Sequence, residues 1–171
     1  MNDDVDKIRR SLAHHNPPKN SRVRKRASVL IPLLESEGEI YVMLTRRSHE
    51  MRSHPGQVSF PGGKQDSDDE DSLQTALRET HEEIGLPGEK VDVIGTLDQI
   101  LSLHYHLVTP YVGLIPSDFV PVHNTDEIES VFKVPLTFFM KSENHWSEEK
   151  KASPFPLLVH HLNTKDMIFG V

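Results

Sequence analysis

The sequence predicts a mixed α+β fold in a single domain, and three observations carry that reading. Most apolar segments are short, rich in β-branched or aromatic residues, and bounded by Gly, Pro, Asn or Asp, as strands are. One long amphipathic helix sits mid-chain, flanked on both sides by strand-like segments. The 171 residues suit one ordinary domain with a real core.

Val5, Ile8 and Leu12 share one side of a short helix predicted over 5–14, which Asn16-Pro17-Pro18 stops. Residues 27–34 read as a buried strand, and Glu37-Gly38 turns the chain into a second strand over 39–45. A loop over 46–56 leads to a short strand at 57–60 and the Pro61-Gly62-Gly63 turn. A helix is predicted over about 70–85. Its stripe of Leu73, Ala76, Leu77, Thr80 and Ile84 faces the core, and Gly85 with Pro87 ends it. Strands follow over 91–103, 107–115 and 128–134, with a turn-rich loop over 116–126. Pro135 starts a short helix to residue 140, the segment 141–156 reads as irregular, and 157–162 and 167–171 read as a hairpin. There is no internal repeat.

Composition narrows the function. Hydrophobic residues are 36% and charged residues 26%, as in a soluble globular protein, and no apolar run approaches the ~18 residues a membrane span needs. A net charge of -7 argues against a general nucleic-acid binder, and the basic run Arg22-Val23-Arg24-Lys25-Arg26 reads as a solvated stretch. With no cysteine there is no disulfide framework or thiolate zinc site. The eleven histidines form no recognisable catalytic pattern.

The most informative run is Arg78-Glu79-Thr80-His81-Glu82-Glu83-Ile84-Gly85-Leu86. Glu79, Glu82 and Glu83 share one helix face, roughly 120° from the apolar stripe at 100° per residue. Like charges so crowded call for a cation, and hard oxygen donors select Mg²⁺ or Mn²⁺. The glycine turn before the helix lets backbone approach a ligand. Metal-assisted attack of water on a phosphate is the simplest chemistry for that pair of features. A merely solvated acidic face is the plain alternative.

The run from Gly63 to Leu86 resembles the signature box of the Nudix hydrolases, with Thr80 where the box has an aliphatic residue. A one-residue insertion between Gly63 and Arg78 leaves Asp69 and Glu70 as competitors for the box's first acidic position. Upstream, Leu44, Thr45, Arg47, Ser48, Arg52, Pro55, Gly56, Val58, Phe60, Pro61, Gly62, Gly63 and Lys64 resemble the motif of the coenzyme A diphosphatase branch. The resemblance implies an α/β/α sandwich around a mixed sheet, with an N-terminal extension over 1–26 and a single Nudix domain over 27–171. The branch motif spans 43–64 and the box 63–86. Family members usually end in a further long helix. This sequence ends Ile168-Phe169-Gly170-Val171, so one sheet face is expected to be partly open.

The resemblance further implies hydrolysis of the diphosphate of coenzyme A or its thioesters. Glu79, Glu82 and Glu83 then hold metal, Arg78 orients carboxylates, and Arg47, Arg52, Gly62, Gly63 and Lys64 meet substrate. For Arg47 and Arg52 a surface or structural role weighs about equally. Hydrolysis of ADP-ribose or NADH is the competing enzyme reading, although the Ser-Gln-Pro-Trp-Pro-Phe-Pro run of the NADH branch is absent. A truncated, non-catalytic Nudix-like module is the non-enzyme reading. Branch relatives are often peroxisomal. The acidic start and the Phe-Gly-Val end carry no address, so the expected location is cytoplasmic, or peroxisomal if a C-terminal segment is missing.

Overall fold

The computed structural model describes residues 3–17, 25–51, 55–102, 104–150 and 157–162. The elements run α1 (Asp3–Ala13), β1 (Arg26–Ser36), β2 (Glu39–Arg47), β3 (Val58–Ser59), β4 (Gly62–Lys64) and α2 (Ser72–Ile84). They continue β5 (Asp92–Thr96), β6 (Ile100–Leu101), β7 (Leu107–Leu114), β8 (Ile128–Pro135), α3 (Leu136–Met140), β9 (His145–Lys150) and β10 (Leu157–Leu162).

The first eight strands form one mixed sheet. β1 runs parallel to β7 and antiparallel to β2, with Leu33 opposite Val42. β4 pairs with the first half of β1, β8 with β2, and β5 and β6 both with β7. Side chains alternate across the pleat. Leu30 and Leu34 of β1 and Met43 of β2 face α2, packing with Ile84 and Leu86. Leu33, Val42, Leu44, Val112, Phe132 and Val134 face the other way. The result is the expected sandwich of helices around a mixed sheet.

The second face departs from expectation. Val5 of α1 is 5% exposed inside its cluster, and Ile8, Leu12, Leu136, Phe138 and Phe139 pack against it. α1 and α3 together therefore cover an area that the sequence reading left partly open. Leu12 fits over Gly95, where any side chain would collide with it. The Arg9–Asp92 ion pair at 2.6 Å ties the same helix to β5.

Other differences have local causes. The apolar run 91–103 breaks into β5 and β6, with a register shift between Val93 and Gly95. The irregular segment of 141–156 contains β9, whose polar sequence hid its pairing. β9 is the hairpin partner of β10, with Leu157 opposite Lys150. The partner predicted at 167–171 lies outside the described residues. On α2 the fully buried positions are Thr75, Ala76, Thr80, Glu83 and Ile84, so Leu73 and Leu77 sit at the margin of the stripe.

Because α1 buries Val5 in the core, Val5→Ala should lower stability by roughly 1–3 kcal/mol, seen as a drop in Tm. An unchanged Tm would mean that α1 contributes nothing to covering the sheet.

Candidate active site

The β4–α2 connection brings one edge of the sheet against the acidic face of the helix. Asp71 caps α2, accepting a hydrogen bond from the Gln74 N–H at 2.8 Å, and Gly85 ends it in the left-handed conformation at φ 72°. Gly62 has φ 147°, and a Cβ there would press into β1, lying 2.6 Å from the Val29 Cα. Its N–H donates to Glu83 Oε2 at 3.0 Å. A Cβ on Gly63 would overlap the Glu79 carboxylate. Gly63 thus admits the Glu79 carboxylate and Gly62 the backbone of β1, and β4 itself is one strand more than the sequence predicted.

Arg78 anchors this arrangement. Its Nε and Nη2 donate to Asp69 Oδ1 and Oδ2 at 2.9 and 3.0 Å, a bidentate fork. Further bonds reach Glu79 at 3.1 Å, Glu82 at 3.2 Å and the Lys64 carbonyl at 3.3 Å. Asp69 is 2% exposed at its side chain and also accepts from the Thr75 hydroxyl and the Asp66 N–H. The Arg78 fork holds its carboxyl well below the usual carboxylate range. Of the two candidates, only Asp69 is bonded to Arg78 among the described residues. Asp69 holds the arginine, whereas Glu70 is exposed and donates its backbone N–H to the Gln74 side chain.

The three glutamates are not equivalent. Glu83 is 5% exposed at its side chain, Glu79 20% and Glu82 57%. Burial pushes the Glu83 carboxyl up to about 7, helped by the charges of Glu79 and Glu127 and opposed by the Gly62 N–H and Arg47. Burial likewise raises Glu79, against the pull of Arg78.

Glu127 is the residue that sequence reasoning missed. It ends the loop between β7 and β8, remote in sequence from the box and outside any motif. That loop is stitched to the end of α2: Val122 N–H donates to the Ile84 carbonyl and Asn124 N–H to the Glu83 carbonyl, both at 3.0 Å. Ser48 N–H donates to the Glu127 carbonyl at 2.8 Å, which joins the end of β2 to the same cluster.

Arg47 reaches inward, its Nη1 3.7 Å from Glu83 Oε1, and its buried Nε has no hydrogen-bond partner among the described residues. Lys64 contributes its carbonyl to Arg78 and exposes its side chain. Arg52 lies outside the described residues. Among the described residues no three acidic or histidine side chains are already gathered as a metal-binding group. The donor set nevertheless suits a hard divalent ion. Glu83 and Glu79 are desolvated acids with a third carboxylate acting on both, and a cation would relieve that repulsion.

A family model described as the NUDIX domain matches residues 24–154. The chain belongs to the Nudix family. Nudix hydrolase 15, mitochondrial, of Arabidopsis thaliana is 44% identical over 86% of this chain and 54% of its own length. The peroxisomal coenzyme A diphosphatase NUDT7 of Mus musculus is 40% identical over 84% of this chain and 61% of its own. The chain thus spans a little over half the length of these two relatives. A Caenorhabditis elegans Ap4A hydrolase complex superposes with TM-score 0.57 at 21% identity, covering 68% of this chain and 83% of that one. A Mycobacterium smegmatis Nudix hydrolase, RenU, gives 0.56 at 24%, covering 66% and 71%. These two matches show the fold. Nudix hydrolases generally use divalent ions such as Mg²⁺ or Mn²⁺. No helix among the described residues is long and apolar enough to cross a membrane.

Two outcomes test the electrostatics. Asp69→Asn removes the buried half of the Arg78 fork and should cost roughly 2–4 kcal/mol at pH 7, read by denaturant unfolding. The depressed carboxyl of Asp69 stabilises the fold above the unfolded-state carboxylate range, so this loss should shrink as pH falls into that range. Glu83 works in the opposite sense. Its folded pKa of about 7 exceeds the ordinary 4.5, so the folded state holds the extra proton and stability falls as pH rises between those values. Glu83→Gln should therefore raise the metal-free Tm at pH 8 and change it little near pH 4.5. The pKa difference corresponds to roughly 3 kcal/mol at most. An equal gain at both pH values would contradict the assignment.

Proposed function

We propose that this chain hydrolyses the diphosphate bond of coenzyme A and its thioesters, releasing 3′,5′-ADP and 4′-phosphopantetheine or its acyl form. The observation that carries the reading is the convergence of Glu79 and Glu83 on the Gly62-Gly63 backbone, with Arg47 beside them. The chain also carries the branch motif over 43–64. The likeness to a mouse coenzyme A diphosphatase supports the substrate, although that relative is considerably longer.

Glu79, Glu82 and Glu83 are the residues that would hold Mg²⁺ or Mn²⁺. The bound ion would neutralise diphosphate charge and acidify the attacking water. Arg78, saturated by carboxylates, is a positioning residue: it sets Glu79 and Glu82 and does not reach substrate. Arg47 faces the buried end of the site and counters the charge of Glu83 there. The exposed part of its guanidinium is a donor for a phosphate oxygen. Glu127, whose charge acts on Glu79 and Glu83 without being one of the box acids, is the carboxylate we assign to take a proton from water. Gly62 and Gly63 let the backbone lie close to the carboxylates and so to the phosphate, and Lys64 and Arg52, which match the branch motif, supply cationic contacts.

Chromatographic assay of coenzyme A with Mg²⁺ should show 3′,5′-ADP appearing, with none formed in excess chelator. Glu83→Gln should lower kcat by about a hundredfold or more while the protein stays folded. Coenzyme A should be used in preference to dephospho-coenzyme A, ADP-ribose and NADH, compared by kcat/KM. Equal values for coenzyme A and ADP-ribose would remove the substrate assignment and leave the family assignment standing.

A further inference from the structure

Asn124 begins the turn that carries Glu127. Its carbonyl accepts the N–H of Glu127 at 3.1 Å and that of Ile128 at 2.7 Å, so the chain makes one helical turn and does not continue it. Its side-chain Oδ1 accepts the Asp126 N–H at 3.1 Å, as an asparagine does when it opens a helix. Its own N–H donates to the Glu83 carbonyl at 3.0 Å. One residue therefore joins the main chain of a buried box acid to the main chain of Glu127.

An exposed asparagine in a loop is ordinarily just a turn former. This turn, however, lies between two fixed points. Ile128 is fully buried and pairs with Arg47 of β2. Ser48 N–H donates to the Glu127 carbonyl at 2.8 Å. The peptide groups of Glu127 are thus held by Asn124 on one side and by Ser48 on the other. Thr125 and Asp126 are exposed, and the bond to Asn124 Oδ1 fixes the backbone there. Glu127 itself is half-buried, and its charge acts on both Glu79 and Glu83. Its carboxylate is therefore turned towards the acidic face of α2. A base must lie within hydrogen-bond reach of the water it deprotonates, so a small shift of this turn costs much of its effect.

We infer that Asn124 is a positioning residue for Glu127, its side chain locking the turn that aims the Glu127 carboxylate at the acidic face of α2. The inference rests on the assignment of Glu127 as the proton acceptor. Asn124 acts through Glu127 alone and takes no part in binding substrate.

Asn124→Ala removes the Oδ1 acceptor and keeps the backbone donor and acceptor of that residue. Hydrolysis of coenzyme A with Mg²⁺ should then show kcat lowered about tenfold and KM unchanged, because misplacement of a base acts on the chemical step. Asn124→Ser keeps an acceptor oxygen and should recover most of kcat. A melting curve verifies folding, and Asn124→Gly, which capping positions tolerate with little loss, replaces the alanine variant if that one melts early. Glu127→Gln should lower kcat on its own, and adding Asn124→Ala to it should cost nothing further. An equal further loss in that background would place the effect of Asn124 elsewhere and overturn the inference. A lower Tm with kcat unchanged in Asn124→Ala would make the residue a turn former only and overturn it too. Both of those outcomes leave Glu127 as the base. Glu127→Gln turning over at the wild-type rate overturns the base assignment and the inference with it. If the wild type hydrolyses ADP-ribose and not coenzyme A, the substrate assignment falls, and the same comparison made with ADP-ribose decides the role of Asn124.

Discussion

The arrangement at the acidic helix depends on the fork between Arg78 and Asp69. α2 must lie close enough to β4 for Glu79 and Glu83 to touch glycine backbone, yet carboxylates crowded at a sheet edge repel one another and lose hydration. One guanidinium holds Asp69 bidentately from below and reaches Glu79 and Glu82 along the helix. Asp69 is also tied to the first turn of α2 through Thr75 and to its approach through Asp66. A single residue thereby fixes the helix, the loop before it and two acid rotamers. Lysine could not reproduce this, because it lacks the planar donors for a bidentate carboxylate.

The glycines are the complementary constraint. Gly62 and Gly63 are needed less for turning the chain than for what lies against them: the backbone of β1 on one side and two carboxylates on the other. This explains why a short strand, β4, exists at all. Pairing with Val29, Ser28 and Ala27 holds the glycines in place, so that Gly62 N–H can serve as a firm donor to Glu83. Without that pairing, a glycine pair would be the most mobile part of the site.

Much of this was legible in the sequence, and the parts that were not share a cause. The helix, its Gly85 end, the strands flanking it and the acid triplet all announce themselves by local spacing. Thr80, an exception to the aliphatic pattern, is fully buried and donates its hydroxyl to the Ala76 carbonyl, so the helix satisfies it internally. The misses are non-local. Nothing near Glu127 signals that its loop will be stitched to the end of α2. Nothing in a polar segment such as His145–Lys150 reveals a pairing with β10. The covering of the second sheet face was missed because the apolar sides of α1 and α3 were read singly, and neither is long enough to suggest a layer.

The same geometry explains how the fold tolerates an acid as buried as Glu83. Its burial is unfavourable to charge and pushes its pKa up to about 7, and among the described residues the Gly62 N–H and the Arg47 guanidinium oppose that. Such a side chain is costly to a protein that uses it only for packing, since an apolar residue of similar size would be cheaper. It becomes economical where an added cation, or a proton exchanged with substrate water, restores the balance during function. The carboxylates of Glu79 and Glu127 would otherwise repel it without return. Buried repulsion, held in place by Arg78 and the loop before β8, is thus a physical argument for a functional site that does not depend on the motif.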